Sequence, residues 1–372
     1  MNSEQPLFRR ELEQLSPYQP GKPAEELARE YNLDRPVVKL ASNENPFSPP
    51  ESVRAAYQDV FDQLNRYPDG GSYQLRESLS DYYSWPSAGI VVGGGSDEVL
   101  DCLAKATLSP GDEVLTAKPA FIRYRMVAGM MGATPVEVPL TETYDIDLNG
   151  LAEQITDDTK WICIPNPNNP TSRYIQKEDL RNFLRDLPPD VIVVLDEAYF
   201  ELMNFEDYPD GTTWLKNEHD TPAHVVVLRT FSKAFGMAGL RVGYGLMEPE
   251  CKREIDKIRP PFNVTRPAQA VARVALKQQD FLQATRAKIA TQRQRLVEEL
   301  EARDFEVVPP SANFMLVRPN HLSAAKLTEE LKKRGIIIRP MSPYGLPEFV
   351  RVTVGRSSEN ERFLKALDQI LG

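Results

Sequence analysis

The sequence is poor in histidine and cysteine, with three of each in 372 residues. Cys102, Cys163 and Cys251 are scattered and odd in number, so no disulfide framework is expected. They read as small buried hydrophobes of a reducing compartment, which points to the cytoplasm. His219, His224 and His321 pair with no cysteine at ligand spacing, so no metal site is expected. No apolar run approaches the length that spans a bilayer, and no membrane partner is expected. Met1 to Pro6 carries no apolar h-region, and no secretory signal is expected there. Also missing are a GxGxxG turn of the dinucleotide-binding kind and a P-loop ending in Lys-Ser/Thr. Basic residues are outnumbered: 44 Lys and Arg face 54 Asp and Glu, a net charge of −10. That argues against nucleic acid as a partner. An anionic ligand must then be caught by a local group of arginines and backbone N–H donors.

What is present is the composition of a soluble globular protein, 41% hydrophobic and 26% charged. The length calls for one large domain and a smaller one. From Ile90 onward, short β-branched runs alternate with amphipathic stretches. Strands are expected at 90–92, 113–115, 136–138, 161–164, 191–195, 225–228 and 242–245. Helices are expected at 51–65, 97–107, 121–131, 148–155 and 177–187. Near-continuous apolar strands between helices imply α/β architecture, a mostly parallel sheet covered on both faces. Such sheets bind ligands beyond the carboxyl ends of their strands. Residues 267–303 read as a long, interrupted helical region. After it come strands at 314–317, 336–338 and 350–354 with helices at 324–334 and 359–371, a smaller α+β unit. Ser16 to Pro23 is too proline-rich for helix and reads as an arm laid over another surface.

The stretch that organises the chain is Thr230 to Arg241, which follows the buried run Val225-Val226-Val227-Leu228. A lysine at the mouth of such a strand suits a phosphorylated aldehyde cofactor: Lys233 forms a Schiff base while Ser232 and Arg241 hold the phosphate. An ordinary solvated loop is the alternative. Four further places lie at strand ends. Gly93 to Glu98 joins a strand to a helix, where glycines and free N–H groups receive phosphate, or where Ser96 or Asp97 simply caps the helix. Asn166 to Thr171 forms a rigid turn from which Asn169 can donate to a phenolate oxygen. Asp196 follows five aliphatics, should be desolvated, and needs a partner such as a protonated pyridine nitrogen. Tyr199 lies three residues on. Phe121 can stack on a planar ring or pack in the core.

These residues in this order resemble one family. The chain is similar to the fold-type I pyridoxal-phosphate-dependent aminotransferases, and within them to the histidinol-phosphate aminotransferases. The likeness runs from Tyr18-Gln19-Pro20-Gly21-Lys22-Pro23 through Ser42-Asn43-Glu44-Asn45-Pro46, Asn65-Arg66-Tyr67-Pro68-Asp69 and Gly95-Ser96-Asp97-Glu98. It continues through Phe231 to Phe235, Gly239 to Gly243 and Val350 to Gly355. It implies pyridoxal 5'-phosphate as cofactor, Lys233 as Schiff-base lysine and proton shuttle, and Asp196 at the pyridine nitrogen. It implies Asn169 and Tyr199 at the ring oxygen and Phe121 stacked on the ring. Gly95, Ser96, Asp97, Ser232 and Arg241 fall at the phosphate. Tyr67 would reach that phosphate from the neighbouring subunit of a homodimer. Tyr18, Asn43, Arg339 and Arg351 would hold the substrate. The domains implied are an arm at 1–39, a large cofactor-binding domain at 40–265 and a small domain at 266–372. The activity implied is transfer of an amino group between histidinol phosphate and 2-oxoglutarate. Aromatic amino acids are an alternative donor, and a decarboxylase or lyase on the same fold is a rival reaction. One departure is Ser172, where the family motif has glycine. Glycine takes positive φ without strain and serine does not, so this turn is expected to differ.

Overall fold

A computed structural model describes residues 7–17, 21–34, 36–216 and 221–372. The central sheet has seven strands. Their spatial order is Ile90–Gly93, Gly243–Leu246, His224–Thr230, Ile192–Asp196, Thr159–Pro165, Glu113–Lys118 and Thr134–Pro139. All neighbours run parallel except Gly243–Leu246, which is antiparallel to the strands on both sides. The exception follows from the link: Phe231 to Val242 holds only a single 3-10 turn, Ala238–Leu240, where a parallel return needs a helical crossover.

The alternation of a buried strand explains how the sheet is covered twice. Val193 and Leu195 pack into one apolar core, and Ile192 and Val194 into the other, with Val193, Val194 and Leu195 fully buried. Successive side chains point to opposite faces, so both faces need helices over them. Each such aliphatic contributes about 1.5–3 kcal/mol relative to exposure. Asp196 continues this strand into the ligand edge.

A second sheet of four antiparallel strands follows in the order Arg339–Pro340, Val350–Thr353, Phe314–Pro319 and Phe305–Val307. Pro340 has no N–H to give, which suits its place on the edge. The expected strand at 336–338 is corrected. Ile336–Ile337 pairs in parallel with Val38–Lys39 as a separate two-stranded sheet, and the chain changes partners at Ile338. The helical region after 265 does break, into Arg266–Ala275 and Gln279–Glu301. The helix expected over 51–65 stops at Gln58 and gives way to a 3-10 turn, Phe61–Gln63. Among the described residues no helix is long and apolar enough to cross a membrane, and no group of His, Cys, Asp and Glu could hold a metal ion.

Candidate active site

One cleft lies beyond the carboxyl ends of the central strands. Its wall includes Gly95, Ser96, Asp97, Phe121, Asn169, Asp196, Tyr199, Ser232, Lys233 and Arg241 from the large sheet side. Asn43 lines it from the segment after Val38–Lys39, and Arg339 and Arg351 from the four-stranded sheet. Every expected site residue is therefore in one place except two. Tyr67 is not on this cleft; it is 77% exposed, and its ring stacks on Phe262 at 4.7 Å. Tyr18 lies outside the described residues.

At one end the cleft is built for an anion. The helix Ser96–Thr107 begins there, so the backbone N–H groups of its first turn face outward without intrahelical partners. Gly95 is its N-cap, which corrects the expectation that Ser96 or Asp97 caps it through a side chain. The Asp97 carboxylate turns instead to Arg123, whose Nε donates to it at 2.7 Å. Gly95 sits at φ 92°, and a Cβ there would lie 2.7 Å from Arg241 Nη2. Only glycine lets the guanidinium come this close. Arg241 Nη1 donates to Ser232 Oγ at 3.3 Å, and Ser232 is held from behind by the Thr230 hydroxyl, 3.0 Å away.

At the middle stands Lys233, half-buried, its Nζ donating to the Ser42 carbonyl at 3.2 Å. Burial lowers its pKa from the usual lysine range to about 8, with the positive charges of Arg351 and Arg241 acting in the same direction. The amine is therefore available as a nucleophile and a base near neutral pH.

At the far wall Asp196 is desolvated, and burial raises its pKa. Two donors oppose that rise: the Tyr124 hydroxyl at 2.7 Å and the Ala198 N–H at 3.2 Å. Tyr124 was not expected. It stands three residues after Phe121, as the second residue of the helix Arg123–Met131, and its ring meets the Phe121 ring edge-on at 5.8 Å. That spacing was its only trace in the sequence. Tyr344 and Thr230 also line the cleft unforeseen. Behind Asp196 the strand alternates, so Glu197 points away from the cleft. It accepts from the fully buried Arg229 at 2.6 Å, and Arg229 also donates to Asp210 at 2.7 Å. This buried ion pair anchors two adjacent strand ends under the site.

The remaining polar contacts join the two sheets. Asn43 Nδ2 donates to Tyr199 Oη at 2.9 Å, and the Asn43 N–H donates to Thr353 Oγ1 at 2.9 Å. Burial holds the Tyr199 hydroxyl up at about 12, so it stays protonated. Arg351 donates to Asn169 Oδ1 at 2.5 Å and to the Ala41 carbonyl at 2.8 Å. Arg339 and Arg351 are cross-strand partners. Ser172 does adopt the left-handed conformation, φ 64°, fully buried. The serine takes the positive φ that glycine would adopt freely, and its hydroxyl accepts from the Ser311 and Ala312 N–H groups.

Residues 35–367 match the family model described as aminotransferase class I and II. The chain is 41% identical over 366 residues to histidinol-phosphate aminotransferase 2 of Carboxydothermus hydrogenoformans, covering 98% of this chain and 99% of that one. It is 42% identical over 358 residues to histidinol-phosphate aminotransferase 1 of Thiobacillus denitrificans, covering 96% and 91%. Among solved structures, it resembles histidinol-phosphate aminotransferase from Sinorhizobium meliloti in complex with pyridoxal-5'-phosphate. That likeness has a TM-score of 0.87 at 27% identity, over 99% of this chain and 98% of the other. The sheet order, the cleft and these likenesses agree, and this chain belongs to the aminotransferase class I and II family.

Proposed function

We propose that this protein is a pyridoxal-phosphate-dependent aminotransferase that moves the amino group of histidinol phosphate to 2-oxoglutarate. The observation that carries the reading is one cleft with Lys233 between an anion cradle and a desolvated Asp196, faced by two arginines. The residues fit the cofactor. Ser232, Arg241 and the N–H groups of Ser96 and Asp97 would hold its phosphate, Asp196 its ring nitrogen, and Asn169 and Tyr199 its ring oxygen, with Phe121 against the ring face. When bound, it supplies a carbonyl that captures the amine and a ring that takes up the electron pair left by the departing α-proton.

The chain's own groups do the rest. Lys233, neutral at a moderately alkaline pH, takes the proton from the substrate carbon and returns it to the neighbouring position. Tyr124 donates to Asp196 and keeps its carboxylate charged and aimed. Tyr199 stays a donor because it is protonated. Asn43 fixes that hydroxyl from the segment after Val38–Lys39. Arg339 and Arg351 would hold the phosphate ester of the donor and, in the second half-reaction, the carboxylates of 2-oxoglutarate. The name shared by the relatives supports this donor over an aromatic amino acid.

The division into an arm at 1–39, a large domain at 40–265 and a small one at 266–372 is supported by the separate sheets on either side of Arg266. A homodimer in the cytoplasm is part of the same reading. The exposed Tyr67 ring, with Phe262 stacked on it, suits a surface that meets a second copy. Incubating the purified protein with histidinol phosphate and 2-oxoglutarate should release glutamate. Absence of glutamate with cofactor bound would overturn the donor assignment.

A further inference from the structure

Ser172 stands at φ 64°, a region that serine enters only at a cost. It is fully buried, and its side chain is occupied. Its Oγ accepts from the backbone N–H of Ala312 at 2.8 Å and of Ser311 at 3.1 Å. Its carbonyl accepts from the Ser311 N–H at 3.0 Å and from the Ser311 hydroxyl. The two partners belong to different parts of the fold. Ser172 closes the turn that carries Asn169 from the central sheet, and its own N–H donates to the Asn168 carbonyl at 2.8 Å. Ser311 and Ala312 lead into Phe314–Pro319 of the four-stranded sheet.

The segment after Ala312 reaches the cleft at two further points. Asn313 Nδ2 donates to the Asn43 carbonyl at 3.1 Å, and the Phe314 ring lies 5.0 Å from that of Tyr199. Asn169 in turn accepts from Arg351, on the strand paired with Phe314–Pro319. The Ser172 hydroxyl therefore ties the Asn169 turn to the strand beside the one that carries Arg351. Glycine could adopt the same φ freely but would leave the Ala312 N–H without this acceptor.

We propose that Ser172 is a positioning residue: it clips the Asn169 turn to the four-stranded sheet and so keeps Asn169 and Arg351 in register for the amino donor. It does not line the cleft, and its effect on turnover rests on the aminotransferase reading. Two variants separate the clip from backbone strain. Ser172→Gly relieves the strain and removes the hydroxyl; Ser172→Ala keeps the strain and removes the hydroxyl. Both holoenzymes should keep the cofactor's visible absorption. In both, amide exchange at residues 311–313 should quicken, and the KM for the amino donor should rise about three- to tenfold, in line with the loss of one neutral hydrogen bond. kcat should change by less than about twofold, because no group acting in the transition state has been removed. A Ser172→Gly enzyme with wild-type exchange and wild-type KM would overturn the proposal, as would a lowered Tm with KM unchanged in both variants. The exchange measurement needs no substrate. If the wild type transfers no amino group, the aminotransferase reading fails on its own, while unchanged exchange at 311–313 would still overturn the clip.

Discussion

Arg339 and Arg351 stand directly opposite each other across an antiparallel strand pair, on one face, and both line the cleft. Like charges in that relation oppose sheet formation, and the arrangement is favourable when an anion lies against them. A phosphate ester, a dianion, matches two guanidiniums better than a single carboxylate does. Replacing Arg339 with alanine should lower kcat/KM for histidinol phosphate by about 10- to 150-fold, the equivalent of one charge-assisted hydrogen bond. Phenylalanine, whose carboxylate Arg351 can hold, should lose far less. Single-turnover reaction with each donor avoids the second substrate, whose own carboxylates use the same arginines. Equal losses for both donors would remove the phosphate-reading role from Arg339.

The Tyr124 hydroxyl donates to Asp196, and that bond opposes the upward pull of burial on the carboxyl. Tyr124→Phe keeps the ring and its edge-on contact with Phe121. It should lower kcat about tenfold, the worth of a hydrogen bond to a charged group. Asp196 should then take up a proton at higher pH, so the acidic limb of the kcat profile should move toward neutrality. An unchanged kcat and an unmoved limb would mean that Asp196 is held well enough without it.

Lys233 has its pKa lowered to about 8 by burial first and by Arg351 next. A depressed lysine is protonated below that value and neutral above it. Capture of pyridoxal phosphate by the cofactor-free protein should therefore accelerate as pH rises through about 8 and level off beyond it. Borohydride followed by peptide mapping should find the cofactor on Lys233. The unfolded chain holds this proton up to the ordinary lysine value of 10.5, so removing cofactor should leave a protein that gains stability between about pH 8 and 10.5. That gain should vanish in Lys233→Met. Labelling at another lysine, or a capture rate indifferent to pH, would contradict the assignment.

Tyr67 lies off the cleft of its own chain, with its ring exposed. If it completes the phosphate site of a second copy, Tyr67→Ala and Lys233→Ala chains are each impaired alone. Mixed and allowed to exchange subunits, they should regain about a quarter of wild-type activity, because in a random mixture half the dimers are mixed and each mixed dimer holds one intact site. No recovery after verified exchange would mean that each site is built from one chain.

Lys233 and Asp196 were legible because each lies at the end of a strand of buried aliphatics, where a charge calls for a partner, and Arg241 because it stands eight residues beyond Lys233. The central sheet was legible for the same reason: strands buried on both faces write themselves as unbroken apolar runs. The antiparallel direction of the strand Gly243–Leu246 was not, since direction depends on the length and shape of the link and leaves no mark in the strand itself. The helix Tyr73–Tyr83 escaped because its buried face is only Leu75, Leu79 and Tyr83 among polar neighbours. Tyr124 escaped because the aim of its hydroxyl depends on a strand 72 residues away. Ser172 stood out as a misfit in the motif, but its use is visible only once Ser311 and Ala312 are brought against it.

The donor preference of the purified holoenzyme tests the central claim most directly. kcat/KM for histidinol phosphate and for phenylalanine, each with 2-oxoglutarate and followed through glutamate, should favour histidinol phosphate by about tenfold or more, the gain from one additional charged contact. A preference for phenylalanine would contradict the account and move the enzyme to the aromatic amino acids.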